Sequence, residues 1–428
     1  VIMIVIICVA FCIALYIWTV ASITYGTMYP MLGYTLGLML VMLFVIDGYI
    51  ICSNKRVRQG VVMLGVFLNL RLSISYCTWT MPNTKGQDKI SRWDMLKSTG
   101  LQEVVMVIGV FVLVSLLICH TKIYRIRALN VLLAVVLPMA MVAARLTGKK
   151  VGGSYLTIFG VMLFGLVLAG FPFVTANLLT MDENRYVGSD VKKMPWNLAL
   201  LLLYEGVLFL GCAIVNEYGL LLVIGITGSL LFWLRCKSLW TKVCYSVTCM
   251  ASALFIALKV GHISQRFEIM MDPVHTLNKK AAETVLYLFR NLPRVGFWGN
   301  SIGDLPRAIY RQLDTDHVTV LLMNDYSVIL AVLVIVLMML FGRWMFKLEP
   351  GLCSYDRYVN LTAAIVFMTV LVMHVASNLG SFITAGVGMP FISRGSVNVM
   401  YGVLAGIHIG LLGKERYLCY ERKEEMEV

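Results

Sequence analysis

The chain has 428 residues, of which 59% are hydrophobic and only 14% charged. Soluble globular domains carry close to a quarter charged residues, so the composition excludes an ordinary water-soluble protein. The formal charge of +13 could serve nucleic acid, but its clusters alternate with apolar runs, a pattern of membrane orientation and not of nucleic-acid binding.

Apolar runs long enough to cross a bilayer, about 20 residues each, begin with 1–25, 31–53, 60–79 and 102–120. They continue with 129–145, 154–180, 197–214, 218–235, 243–260, 318–342, 359–380 and 396–413. About twelve transmembrane helices are therefore expected, making an all-α polytopic integral membrane protein, because lipid-exposed backbone must satisfy its own hydrogen bonds. The first run is too long for a signal peptide and has no small-residue cleavage site. The 11 cysteines are scattered, without CxxC or zinc spacing, and read as small apolar fillers.

Lys55, Arg56 and Arg58 follow the second run; Lys122, Arg125 and Arg127 follow the fourth. Arg235, Lys237 and Lys242 follow the eighth, Arg343, Lys347 and Arg357 the tenth, and Lys414, Arg416, Arg422 and Lys423 the last. All fall on one side if both termini are cytoplasmic, as retention of basic loops inside the cell requires. The weakly charged loops 80–101, 146–153, 215–217 and 381–395, and the long polar stretch 260–317, then lie outside. That stretch keeps Phe267, Tyr287, Leu288, Phe289, Phe297 and Trp298, which argues for an ordered, functional loop and not a linker.

Several polar residues sit where a passive bundle needs none. Asp47, Arg71, Glu103, Glu205 and His374 fall in or beside spans, where ionisable groups cost about 2.5–3.5 kcal/mol to insert. Glu205 and His374 read either as neutral or paired groups inside the bundle or as parts of a proton or ion relay. Val215-Asn216-Glu217-Tyr218-Gly219 reads either as a tight helix–helix turn, with Gly supplying flexibility, or as a carboxylate, Glu217, facing an outward cavity. The segment 386–396 is rich in Gly and Pro, and irregular backbone at membrane depth is tolerated where it is buried in protein or lines a cavity. Within it Arg394, flanked by Ser393 and Ser396, is either a snorkelling interfacial arginine or a guanidinium placed for phosphate oxygens.

Two of these regions together carry a resemblance. Met389-Pro390-Phe391-Ile392-Ser393-Arg394-Gly395-Ser396 resembles the PFISYGGSS signature of the SEDS family (shape, elongation, division and sporulation). Arg266-Phe267-Glu268-Ile269-Met270-Met271-Asp272-Pro273 is similar to that family's R…LDP start of its large outer loop, and Phe297-Trp298-Gly299-Asn300-Ser301-Ile302-Gly303 to its LWGxGLG stretch. Leu305-Pro306, Asp314-Thr315-Asp316-His317 and Asn324-Asp325-Tyr326 follow its LPExHTDFIF…EELG segment, and Asn216-Glu217-Tyr218-Gly219 stands in the place of PDLG. Order and spacing agree across roughly residues 60–413. Arg394 replaces the signature tyrosine, Ser396 its second glycine, and Tyr155-Leu156-Thr157-Ile158-Phe159 stands where the family has QPSE. Gly148-Lys149-Lys150 represents the basic-aromatic pair upstream of it.

The resemblance implies a core of ten helices over 60–413, with 1–59 adding two N-terminal helices and 414–428 forming a cytoplasmic tail. It implies a peptidoglycan glycosyltransferase of the bacterial cytoplasmic membrane, polymerising lipid II on the outer face and releasing undecaprenyl diphosphate. It also implies a class B penicillin-binding protein as partner. Asp316 aligns with the family's loop aspartate and takes the role of base; the alternative is a helix N-cap for the span starting near Val318. Lys149, Lys150 and Arg394 are the candidate diphosphate holders, with Arg266 a further one that could instead pair with Asp272. The acidic residues outside form no metal motif; a Mg or Mn ion could share the work. A lipid-linked precursor flippase, or a catalytically degenerate scaffold of a cell-wall complex, are the competing readings.

Overall fold

The computed structural model describes residues 57, 60–68, 70–71, 101–148, 150–151, 154–155, 157–158, 161–181, 186–187, 194–259, 261–272, 274–275, 286, 295–300, 315–348, 352–382, 386–395 and 397–427. The expected N-terminal helix pair and most of the 260–317 loop lie outside these residues. The protein is a helical membrane protein: six helices among the described residues are long and apolar enough to span a bilayer. The chain divides into two compact units, residues 1–121, 291–351 and 387–428 forming one and 122–290 with 352–386 the other.

In the first unit, α1 is Leu101–His120. The helices of the second unit follow in the chain as α2 (Arg127–Thr147), α3 (Leu163–Leu179), α4 (Trp196–Val215), α5 (Tyr218–Arg235), α6 (Leu239–Lys259), α7 (Gly261–Met271) and, later, α10 (Ser354–Asn378). The first unit resumes with α8 (Val318–Asp325), α9 (Val328–Met345) and α11 (Asn398–Glu427). Its spine is the pair α1 and α11. Gly402, Gly406 and Gly410 recur every fourth residue and bring the α11 backbone onto α1. A Cβ at each would stand 2.9, 2.9 and 2.7 Å from the carbonyl oxygens of Val107, Phe111 and Ser115. The numbers rise together on both helices, so the two run parallel. Small residues at such spacing let membrane helices touch backbone to backbone. Ser115 adds a hydroxyl hydrogen bond across the seam to the Gly406 carbonyl at 3.3 Å.

The second unit is built around α10, buried along most of its length and packed on α3 and α5. One end is held by a polar clamp. Tyr124 donates to Asp356 Oδ1 at 2.8 Å, and Arg125 bonds both carboxylate oxygens, its Nε at 2.9 Å. Asn130 donates to the Tyr355 hydroxyl at 2.9 Å, which itself donates to the Tyr124 carbonyl at 2.9 Å. Burial, and then the Asp356 carboxylate, push the Tyr124 phenol well above its ordinary range, so it stays a donor.

Three expectations change. The run 318–342 is broken: α8 ends at Asp325, and Ser327, whose hydroxyl accepts from Ile329 and Leu330, caps a new helix. The polar Asn324-Asp325-Tyr326-Ser327 interrupts the helix, so the span is Val328–Met345. The run 154–180 begins not as helix but as two-residue antiparallel ladders, Lys150–Val151 with Ser154–Tyr155 and Thr157–Ile158 with Val161–Met162. β-branched Val151, Thr157, Ile158 and Val161 favour extended backbone. The segment from 414, read as a tail, is helical and continues α11 to Glu427; its Glu, Lys and Arg residues are good helix formers. The α4–α5 turn is tight as expected, but Asn216 takes the left-handed position (φ 58), while Gly219 lies inside α5. Asn tolerates that conformation at a helix C-terminus.

Candidate active site

Asp316 lies in the turn 315–317 that enters α8. It is half-buried, and the N-cap position belongs to His317, whose side chain makes no capping bond. The cap alternative for Asp316 is thus not the geometry found. His317 is buried, and burial pushes its imidazole down to about 4, so at neutral pH an uncharged ring stands beside Asp316.

Ser393 and Arg394 lie in the irregular segment 386–395, which the chain folds against its own side chains. Ser393 accepts from the Met389 N–H at 2.6 Å, Tyr401 donates to the Gly388 carbonyl at 3.2 Å, and Asn398 donates to the carbonyls of Ser393 and Gly395. Phe391 is held at a positive φ of 60, strained for a side chain of its size. It is fully buried between Phe67, Phe341 and Tyr401, with ring centroids 6.2, 6.1 and 5.7 Å away. Ser393 is itself buried and its oxygen serves the turn, so what it offers a ligand is the shape of the segment. Arg394 is half-exposed. Its neighbour Gly395 donates to Glu103 Oε2 at 3.0 Å, and Glu103 is ion-paired with the fully buried Arg71. Arg71 and Glu103, read in the sequence only as ionisable groups near spans, therefore fix the end of the arginine-bearing segment.

The two loops meet. A Cβ at Gly388 would stand 3.4 Å from the Thr315 carbonyl oxygen and 2.8 Å from Ser393 Cβ. The turn carrying Asp316 thus packs on the segment carrying Arg394, within one unit.

The remaining candidates belong to the second unit. Lys150 pairs through its backbone with Tyr155; Lys149 lies outside the described residues. Glu217 is half-buried in the α4–α5 turn, and Arg266 is exposed on α7. Asp272 closes an Asx turn, accepting from the backbone of His275 at 3.1 Å and from its ring at 2.9 Å. These bonds hold its carboxyl below the ordinary range. Glu205 is buried on α4 against Gly228 of α5, with Oε1 unpartnered among the described residues. α4 runs ten positions beyond Glu205, about 15 Å of helix rise, before the turn that carries Glu217. Among the described residues no group of three acidic, His or Cys side chains could hold a metal ion.

No protein-family model and no curated protein matches the sequence; the likeness is structural. A chain of a peptidoglycan synthase complex, described for its coordination of polymerization and crosslinking, superposes with a TM-score of 0.61 at 16% identity, covering 83% of this chain and 97% of that one. A crystal structure of the Thermus thermophilus rod shape determining protein RodA gives 0.54 at 17% identity, covering 84% and 96%. The fold is that of RodA. A second RodA crystal structure, of a point mutant, superposes equally well, at 0.54 and 17%. The RodA-like fold is the SEDS fold that the outer-loop and 389–396 motifs imply.

Proposed function

We propose that the protein is a peptidoglycan glycosyltransferase that polymerises lipid II on the outer face of the bacterial cytoplasmic membrane. What supports this reading is the packing of the Asp316 turn on the Arg394 segment, in a fold shared with a chain of a peptidoglycan synthase complex. The 4-hydroxyl oxygen of one lipid-linked disaccharide attacks the anomeric carbon of another. Asp316 takes the hydroxyl proton, the anomeric C–O bond breaks, and undecaprenyl diphosphate leaves with the bonding pair. Arg394 balances the charge that develops on the diphosphate, where a preorganised cation in a water-poor site is most effective. The family resemblance makes Lys149, Lys150 and Arg266 further candidates for holding a lipid diphosphate, and Glu217 a candidate for substrate binding. A class B penicillin-binding protein is the partner that would crosslink the product.

Purified protein, its transpeptidase partner and lipid II decide the matter. Glycan formation is expected for the wild type, with a loss of about 10²–10⁴-fold for Asp316→Asn, the usual worth of a general base. Wild-type protein that forms no glycan sinks the polymerase reading in favour of a scaffold, or of a flippase if lipid II crosses vesicles instead. Equal rates for wild type and variant remove Asp316 from the base role alone.

A further inference from the structure

The turn 295–300 takes no part in this chemistry, yet it is firmly built. Gly299, at φ +81, donates to the Gly296 carbonyl at 2.8 Å. It lies so close to the next element that a Cβ would stand 2.7 Å from the Tyr326 carbonyl oxygen. Asn300 donates from its backbone to the Asn324 carbonyl at 2.7 Å and from its amide to Asn324 Oδ1 at 3.1 Å. Ser327 donates to the Phe297 carbonyl at 3.2 Å. The turn is thus bolted to the end of α8 and to the N-cap of α9. What it holds up is a pair of aromatic rings: Phe297 and Trp298 are 64% and 72% exposed, packed edge to face at 5.6 Å.

Leaving such side chains in water forgoes about 1.5–3 kcal/mol each, and a rigid turn prevents them from folding inward. Their place in the fold indicates what covers them. Ser327 is the residue before Val328, where an 18-residue membrane-spanning helix begins. On that helix Val332, Leu333, Val336, Met339 and Leu340 are all exposed and recur at helical spacing, the pattern of a lipid-facing stripe. The aromatic pair therefore stands at the end of a span, at the depth where acyl chains give way to headgroups and where Trp side chains concentrate.

We propose that Phe297 and Trp298 form an interfacial anchor, inserted in the headgroup layer of the leaflet that faces the outer loop. The anchor holds α8 by its C-terminal end, and the Asp316 turn sits at the other end of that eight-residue helix, about 12 Å away. It sets the height of the turn above the acyl chains. The occupant is the lipid surface itself, so the inference depends on the membrane fold and stands apart from the polymerase reading.

Full-length protein and its Trp298→Phe variant would be reconstituted in phosphatidylglycerol–phosphatidylcholine vesicles brominated either near the headgroup or near the chain end. The difference between their tryptophan emissions isolates Trp298; both residues are exposed, so the variant keeps its fold. That difference is expected to be quenched about two-fold or more strongly by the shallow label than by the deep one, as interfacial placement requires. A difference emission untouched by either label overturns the proposal. So does one that responds to soluble glycan fragments and not to brominated lipid, which would make the pair a sugar platform.

Discussion

His317 carries a pH dependence that follows from its burial. Its ordinary value is 6.5 and its folded value about 4, so between these the unfolded chain binds the proton and the folded one does not. Its contribution is fully present above about pH 6.5 and is lost as pH falls toward 4, at a cost on the order of 3 kcal/mol. Melting temperatures measured from pH 7 down to 4.5 should fall for the wild type and stay flatter for His317→Gln. Parallel curves would show that another group drives the acid transition. The same residue shows what a sequence can and cannot say. Asp316 was legible as a candidate because Asp314-Thr315-Asp316-His317 keeps a family pattern. Which of the neighbours takes the N-cap and which is buried is seen only in the fold, because hydropathy does not register where α8 begins. Arg71 and Glu103 were visible as misplaced charges, but only the fold reveals that they grip Gly395.

Among elements, the α1–α11 seam is the one most dependent on its residues. Gly406 admits no side chain, since a Cβ would stand 2.9 Å from the Phe111 carbonyl oxygen and 3.1 Å from Val114 Cβ. Gly406→Ala should cost about 1–3 kcal/mol, the usual penalty of overpacking. Gly109→Ala on α1, where a Cβ would meet nothing within 4 Å, should be neutral or stabilise by up to about 1 kcal/mol. Thermal unfolding in detergent checks both, and equal effects would remove the seam from the account. Hydropathy found the spanning helices because lipid demands long apolar runs. It missed the hairpins at 150–162 because their β-branched residues are as apolar as a helix. The spacing of Gly402, Gly406 and Gly410 was a signal of close packing open to reading, but spacing names no partner helix.

For the whole molecule, the basic loops predict which ends of the helices face the cytoplasm. Cys353 is exposed at the start of α10, between the basic residues Lys347 and Arg357. In a variant keeping this cysteine alone, a membrane-impermeant maleimide should label it only after the cells are opened. Labelling of intact spheroplasts would reverse the orientation, and with it the outside placement of the 260–317 loop. The parallel course of α1 and α11 fits either orientation, since each is entered from the same side. It has a consequence for biosynthesis as well. The hydrogen bond from Ser115 to Gly406 spans 291 positions, so α1 waits in the bilayer until the segment that follows it by that distance has been made. The Arg394 segment is closed by α11 from behind, through Asn398 and Tyr401. A ribosome halted before that helix leaves α1 without its glycine seam and the arginine loop without its frame. The first unit is thus completed only once α11 has entered the membrane, and a chain interrupted before it has neither the seam nor the framed loop.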